Sequence, residues 1–571
     1  MRDKKEFYSI LTEIWDRDVS EYTRLIGDFD FTRYVLKLIQ VNPDQLDKPA
    51  LFIVRVPQII AGFPPHLFNT PVRRTAIEDY LTRKIADQIE SIAHYDEEGI
   101  SRRRLSIAVP GQKVLPRTSL MITDEYVEAR VYVLLPQQNG MISGQSVKDI
   151  FFEELPEVVN ASLVYSNVDE AELEEFVDLM EDADKARQLL PTLGLVSLVA
   201  ENSLVARLNN TDYPDYDDVT PVSIDEKLMT EVEVPNSGSI KGMGIPAGIT
   251  LILGDAYSGR TALMNAIAAG VYNHIPGDGR ELIVTVPDAV SVPADAGRCV
   301  QKVDVSPFIR ELPGTEKPEL YTSNEADPCS AQAASVIEAL EVGAKVLLFD
   351  ESSSSPSLLT RDSRLEHVLP NASEKILPLS LQARKIADEL GVSIVVAGSS
   401  SVAEFIPIAD TILRIDNSRV TDVTNDAKSL DIPQLEQSSE PVNVTSIAER
   451  NRWIIPSSID PSMSHLDQVI DTPDMKIMQF GRSTIDLGAL TQLADKHQTT
   501  TIGLILYYAK LRYMDEGMPI RDVLDMVDRD LSSEGLECLT RDLRGDMARP
   551  RRFEIAAALN RLDTLRISHI D

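Results

Sequence analysis

An α/β fold built on a parallel sheet of the P-loop type is what the middle of this sequence predicts, and three observations carry it. From about Ser237, short runs of branched apolar residues alternate with helical segments. One run ends in a glycine loop, Gly254-Asp255-Ala256-Tyr257-Ser258-Gly259-Arg260-Thr261. Another, Lys345-Val346-Leu347-Leu348-Phe349-Asp350-Glu351, ends in two acids. Apolar strands alternating with helices imply a parallel sheet covered on both faces. The expectation is a central domain of this class over 226–424, an N-terminal α+β domain over 1–225, and a linker with a C-terminal α+β domain over 425–571.

In chain order, IEDYLTRKIADQIESIA from Ile77 spaces its apolar residues as a helix does, and YVEARVYVLLP from Tyr126 alternates as a strand does. The acidic segment DEAELEEFVDLMEDADKARQLLPTLGL predicts a helix that stops around Pro191 and Gly194. NNTDYPDYDDVTP from Asn209 is turn-rich and predicts a linker or loop. Then come ITLILG, a helix from Thr261, ELIVTV, a helix through AQAASVIEALE, KVLLFD, a helix through QARKIADEL, VSIVVAG and TILRI. The polar stretch NDAKSLDIPQLEQSSEP from Asn425 precedes a last part with strand-like pieces near Lys476 and several helices.

Composition narrows the function classes. No uninterrupted apolar run reaches the roughly 20 residues of a membrane helix. The start, MRDKKEFYSILTEIWDRD, carries acids throughout and reads as neither a secretory signal nor a transit peptide. Three scattered cysteines, Cys299, Cys329 and Cys538, exclude a disulfide framework and suit a reducing cytoplasm. A formal net charge of −34 disfavours a chain that coats nucleic acid with its whole surface. Local basic clusters remain at Arg102-Arg103-Arg104 and at Arg541, Arg544, Arg549, Arg551 and Arg552, either as solvated faces or as a groove.

The glycine loop follows the strand ITLIL and opens a helix, which is the context of the pattern G-x-x-x-x-G-K-[ST]. Gly254 and Gly259 let backbone N–H groups turn onto phosphate oxygens, and the helix N-terminus adds positive potential. Asp255, Ala256, Tyr257, Ser258 and Ala262 complete the cradle, and Thr261 supplies a hydroxyl for Mg²⁺. Arg260 stands where lysine is expected, a planar fork in place of a compact charge. At the acidic strand end, Asp350 is the candidate Mg²⁺ ligand and Glu351 the candidate base. Between the motifs, Ala326-Asp327-Pro328-Cys329-Ser330-Ala331-Gln332 sits where ABC-type ATPases place the signature loop that contacts a partner subunit's nucleotide. Two readings stay open there: a signature using Ser330 and Gln332, or an ordinary helix start with Ser330 as N-cap.

These residues resemble the "ATPase of the ABC class" family, which includes an RNA-editing-associated protein of trypanosome mitochondria. The likeness runs through PVRRTAIEDYLTR from Pro71, SIAVPGQKVLPRTSL from Ser106, GMGIPAGITLILG from Gly242, GVYNHIPGDGRELIVTVPDAV from Gly270, VDVSPFIRELP from Val303, AQAASVIEALEVGAKVLLFDE from Ala331 and IDLGALTQLADKHQT from Ile485. Departures fall in the chemistry. The family's phosphate loop, GGGYHGKST, is here GDAYSGRTA, and its signature region, ATSGSTSQAA, is here NEADPCSAQAA without the glycine. After the acids the family's DTSATNFMIRD is here SSSSPSLLTRD, which keeps Arg361 and Asp362. Its later GGSGDYF is here Gly398-Ser399-Ser400-Ser401-Val402-Ala403-Glu404-Phe405.

The resemblance implies an ABC-type ATP-binding protein with ATP and Mg²⁺ as cofactors, Glu351 and Arg260 as catalytic residues, and a head-to-tail homodimer. The altered loop implies slow or retuned hydrolysis. A nucleotide-sensing pseudo-ATPase and an RNA-associated ATPase using the C-terminal arginines are the competing readings.

Overall fold

The computed structural model describes residues 1–39, 41, 48–93, 104–208, 211–217, 220–313, 317–361, 375–430, 452–464, 468–514 and 518–568. They form two compact units, Met1–Glu181 with Thr540–Arg549, and Asp182–Leu539 with Pro550–Asp571.

The first unit is built on a mostly antiparallel sheet. Helix α1 (Lys4–Ile14) buries Phe7, Leu11 and Ile14. Strands β1 (Gly27–Asp30), β2 (Val35–Leu38) and β3 (Ala50–Pro57) pair in sequence. Helix α2 (Pro71–Ser91) starts at Thr70, whose hydroxyl accepts the Arg73 N–H, and Pro71 occupies its first turn, where no N–H is needed. The segment YVEARVYV becomes β4 (Tyr126–Val133), which pairs antiparallel with β3 along its whole length. Phe7, Phe29, Phe52 and Phe151 are fully buried and form edge-on and tilted ring contacts at its core.

The second unit is built on two main sheets. Strands β5 (Leu195–Ala200), β6 (Met229–Val234), β7 (Gly238–Pro246) and the short β9 (Ile283–Thr285) form an antiparallel sheet in the order β6-β7-β5-β9. The larger sheet contains β8 (Ile249–Leu253), β10 (Ala289–Ser291), β11 (Val346–Asp350), β12 (Ser393–Gly398), β13 (Thr411–Asp416) and β14 (Arg419–Asp422). From a short edge strand at Ser223–Ile224 its order is β14-β13-β8-β12-β11-β10. All neighbours from β10 to β13 are parallel, and β14 returns antiparallel. Ile249, Leu251 and Ile252, Leu347 and Phe349, and Ile394 to Ala397 are all fully buried, which is why these strands read as unbroken apolar runs.

The two units divide at 181/182, with residues 540–549 joining the first. Leu195–Ala200 is hydrogen-bonded to β7 and β9, so that stretch belongs with the sheets that follow it. The C-terminal residues are tied into the same unit by buried polar groups. Gln492 donates to the Ala268 and Ala289 carbonyls at 2.9 and 3.2 Å and accepts the Ser291 N–H at 2.9 Å. Arg452 pairs with Glu341 inside the protein. Residues 540–549, in contrast, belong to the first unit, where Arg130 donates to the Arg544 carbonyl at 2.7 Å. The strand-like pieces near Lys476 form β15 (Ile470–Asp474), β16 (Ile477–Phe480) and β17 (Ser483–Asp486).

The run YNHIPGDGRE has a structural reason for its sequence. Asp278 is fully buried and faces two arginines and a histidine: His274 at 3.0 Å, Arg280 at 2.8 Å and Arg207 at 3.0 Å. Burial pushes the Asp278 carboxyl up, but hydrogen bonds from His274 and Arg280 outweigh it and hold the group well below the usual carboxylate range. Gly277 and Gly279, at φ of +82° and +83°, let the chain turn around this carboxylate. Asp278→Asn should therefore destabilise the protein by about 3 kcal/mol, because it leaves buried cations under-neutralised. Thermal unfolding checks this. A lowered carboxyl stabilises the fold above its unfolded value and loses that contribution as pH falls towards its folded one, so the variant should also lose less stability in acid than wild type.

Candidate nucleotide-binding site

Strand β8 delivers the chain to the loop at Gly254, and helix α3 (Arg260–Ala269) leaves it. Gly259 is the residue before the helix and has φ of +92°, which a side chain would strain. Gly254 needs to be glycine for space: a Cβ there would lie 2.4 Å from Ser258 Oγ and 3.1 Å from the Ile415 carbonyl oxygen. Ser258 is buried, and its Oγ has no hydrogen-bond partner among the described residues. Asp255, Ala256 and Tyr257 are exposed, and Thr261 and Ala262 are half-buried on the first turn of α3. The turn between β13 and β14 braces the loop from one side, with the Ser418 N–H donating to the Ser258 carbonyl at 3.3 Å.

The acidic pair reaches the loop across an intervening strand. Because β12 separates β8 from β11, the two strand ends lie two strand spacings apart, about 10 Å. Glu351 closes that distance with its side chain. Its carboxylate accepts the Ser399 N–H at 2.7 Å and the Ser399 hydroxyl at 3.0 Å, both from the end of β12, and also the Ser401 hydroxyl. Its Oε2 lies 3.5 Å from Arg260 Nη1. The same Nη1 donates to the Gly254 carbonyl at 2.7 Å, so the arginine head folds back inside its own loop.

Burial alone would raise the Glu351 carboxyl, but the hydrogen bonds from Ser401 and Ser399 and the charge of Arg260 outweigh it and hold the group below its ordinary value. Asp350 is buried at the strand end. Its Oδ1 accepts the Ser352 N–H and hydroxyl, both at 2.8 Å, while its Oδ2 is buried without a hydrogen-bond partner among the described residues. An orphaned carboxylate oxygen at the end of β11 suits a Mg²⁺ ligand; Asp350, with Thr261 from the loop, would hold the ion, which would supply charge neutralisation. Among the described residues no cluster of three acidic, histidine or cysteine ligands could hold a metal on its own.

The signature candidates face inward. Helix α4 (Pro328–Glu341) is capped by Asp327, whose carboxylate accepts the Cys329 and Ser330 N–H groups at 3.0 and 3.2 Å. Ser330 is therefore inside the helix rather than its N-cap, and it is 3% exposed. Gln332 is fully buried. Its amide nitrogen donates to the Val292 carbonyl at 2.6 Å and Ser354 Oγ at 3.0 Å, and its oxygen accepts the Ser355 N–H at 2.8 Å. Gln332 thus orders the chain after the acidic pair, with its side chain buried and bonded within the protein.

Three family models match successive parts of the chain. The "ATPase of the ABC class N-terminal" model matches 4–166, the ABC ATPase P-loop domain 169–451 and the MRB1590 C-terminal domain 469–568. The chain belongs to the family of ABC-class ATPases. Uncharacterized protein MJ1628 of Methanocaldococcus jannaschii is 26% identical over 286 residues, covering 47% of this chain and 62% of that protein, so under two thirds of the relative is matched. Among solved structures, cbiO1 from Clostridium perfringens, part of the ABC transporter complex cbiONQ, is 15% identical over 40% of this chain and 87% of that one, with a TM-score of 0.24. The ADP conformation of MJ1267, an ATP-binding cassette of an ABC transporter, is 12% identical over 41% and 93%, with a TM-score of 0.23. The fold assignment rests on the strand order and the family models.

In this ABC-class ATPase no described helix is long and apolar enough to cross a membrane. The C-terminal arginines are largely engaged within the protein. Arg544 pairs with Asp546 at 2.7 Å, Arg552 with Asp525 at 2.7 Å, and Arg551 with Glu554 at 2.6 Å while donating to the Pro287 and Ala289 carbonyls. Arg102 and Arg103 lie outside the described residues, and Arg104 is paired with Glu154.

Ser399 and Ser401 are the site residues that reading the motifs missed. The available signal was their place directly after the apolar run SIVVAG, where the family's glycine-rich stretch is replaced by serines. Ser401→Ala should raise the Glu351 carboxyl towards its ordinary value, because a hydrogen bond that favours the charged form is lost. Carboxyl-carbon NMR titration of wild type and variant reads the shift directly.

Proposed function

We propose that this chain binds Mg-ATP at the Gly254–Thr261 loop and hydrolyses it slowly, as a retuned cytoplasmic ATPase. One observation carries the reading: Glu351 reaches across β12 to within 3.5 Å of Arg260 in the phosphate loop. The exposed loop backbone and the N-terminus of α3 would hold the phosphates. Thr261 and Asp350 would hold Mg²⁺, which neutralises charge on the phosphate oxygens when bound. Glu351 would orient the attacking water and take its proton.

Two features support slow turnover. Arg260 is a wide planar cation already engaged by Gly254 and Glu351, so phosphate must compete with an internal ion pair. Glu351 is stabilised in its charged form by Ser399, Ser401 and Arg260, which lowers its appetite for a proton and makes it a weaker base. The same ion pair supports a second reading, a nucleotide-sensing pseudo-ATPase in which binding opens the Arg260–Glu351 contact and no hydrolysis follows.

A nucleotide-dependent head-to-tail dimer remains part of the proposal, supported by family membership and by the exposed Asn324, Glu325 and Asp327 ahead of α4. With Ser330 and Gln332 turned inward, those exposed residues and their backbone would make the contact in trans.

Radiolabelled ATP turnover alongside equilibrium binding tests the reading. Wild type should bind Mg-ATP and turn it over slowly, and Arg260→Lys should raise turnover by about tenfold or more. Glu351→Gln should lower residual turnover at least about 100-fold with binding kept. Binding without any turnover, unchanged in Arg260→Lys, would select the pseudo-ATPase, and no binding by either protein would reject both. Sedimentation of Glu351→Gln with Mg-ATP should show a dimer; an unchanged monomer would remove that part.

A further inference from the structure

The first unit has a pocket of its own, an open space of about 400 Å³. The start of α1, the turn between β1 and β2, the end of β3 and the helix Leu155–Ser162 enclose it. Its lining changes with depth. Val56 and Val159 are buried and apolar, whereas Lys4, Arg33 and Glu157 are exposed at the mouth.

The turn between β1 and β2 shapes one wall. Phe31 and Tyr34 are both buried, and their rings stack with centroids 5.2 Å apart and 20° between planes. Thr32 lies between them at φ of +74°, a conformation that a β-branched residue rarely takes and that strains the backbone. The strained turn presents two rings as one flat surface and leaves Arg33 at the mouth. The Tyr34 hydroxyl is buried and has no hydrogen-bond partner among the described residues. A buried hydroxyl ordinarily has one.

The charges at the mouth say what enters. Lys4 Nζ lies over the rings of Phe31 and Phe152, 5.6 and 5.3 Å from their centroids, and Arg33 Nη1 donates to Asn160 Oδ1 at 2.6 Å. Neither cation forms an ion pair with a carboxylate among the described residues. Two cations against Glu157 leave one positive charge, which suits a single anion; a second negative charge would face Glu157. We infer that this pocket binds a small, flat monocarboxylate with an oxygen at its inner end. The carboxylate sits between Lys4 and the planar fork of Arg33. The flat body lies against the Phe31–Tyr34 rings and the valine wall, and the inner oxygen accepts from the Tyr34 hydroxyl. The first unit is then a ligand-binding unit, and the inference rests on no part of the phosphate-loop reading.

Four probes separate charge, body and inner oxygen: para-hydroxybenzoate, benzoate, phenol and acetate, each titrated against the full chain and followed by ligand-observed NMR. Wild type should bind para-hydroxybenzoate about fivefold more tightly than benzoate and about tenfold more tightly than phenol, with no saturation by acetate. Arg33→Gln should lose about tenfold for para-hydroxybenzoate and nothing for phenol, because only the charged hydrogen bond is removed. Tyr34→Phe should bind para-hydroxybenzoate no better than benzoate. Its thermal midpoint should equal or exceed that of wild type, since the hydroxyl has no protein partner to lose. Three outcomes would each overturn the site: phenol or acetate bound as tightly as para-hydroxybenzoate, wild-type affinity for para-hydroxybenzoate in Arg33→Gln or in Tyr34→Phe, or no saturable binding of para-hydroxybenzoate to wild type.

Discussion

Two strand spacings separate the phosphate loop from the acidic pair, and the carboxylate of Glu351 spans them. That span is the constraint from which the rest of the site follows. With β11 next to β8, an acid at the strand end would crowd the loop. With β12 between them, about 10 Å opens above the sheet, which leaves room for phosphates, a metal and water. The end of β12 holds Glu351 in that gap, where Ser399 donates to it through both its N–H and its hydroxyl.

The electrostatics of the gap pull in one direction. Every donor around Glu351 favours its ionised form: the Ser399 N–H, the two serine hydroxyls and Arg260. The acid is therefore well placed and weakly basic. Arg260, in turn, is held by a carbonyl of its own loop and by the acid it faces. In a site with lysine, a compact ammonium would leave more freedom on both sides. The scaffold that brings Glu351 and Arg260 together is also the one that favours the charged form of the acid.

Elsewhere the unit uses buried polar groups to fix geometry. Gln332 joins the chain before β11 to the segment after it, through Val292, Ser354 and Ser355. Asp278 gathers Arg207 and Arg280 into a turn, and Gln492 anchors C-terminal sequence to the carbonyls of Ala268 and Ala289. Each is fully or nearly fully buried with its hydrogen bonds made, which is the condition under which a polar group in a core orders it.

Much of this was legible in the chain, and for local reasons. Apolar runs such as ITLIL and VLLFD declare buried parallel strands because both faces must be covered. Gly254 and Gly259 declare the loop because one needs space and the other needs positive φ. The acids at the end of VLLFD are visible because a charge after an apolar run sits at a strand's end. What the sequence left undecided was every partnership between distant segments. It could not order the strands, so the serine clasp from β12 on Glu351 was not visible. Nor could it say whether Gln332 points outward to a second subunit or inward to Ser355, since both fit a helix start after Asp327-Pro328. The segment Leu195–Ala200 was grouped with its neighbours in sequence, yet its hydrogen bonds go to β7 and β9. Sequence settles which residues prefer a strand, a turn or a charge-bearing end, because those preferences are local. Tertiary structure alone decides which of them meet, because hydrogen bonds and ion pairs depend on a separation in space that spacing along the chain does not encode.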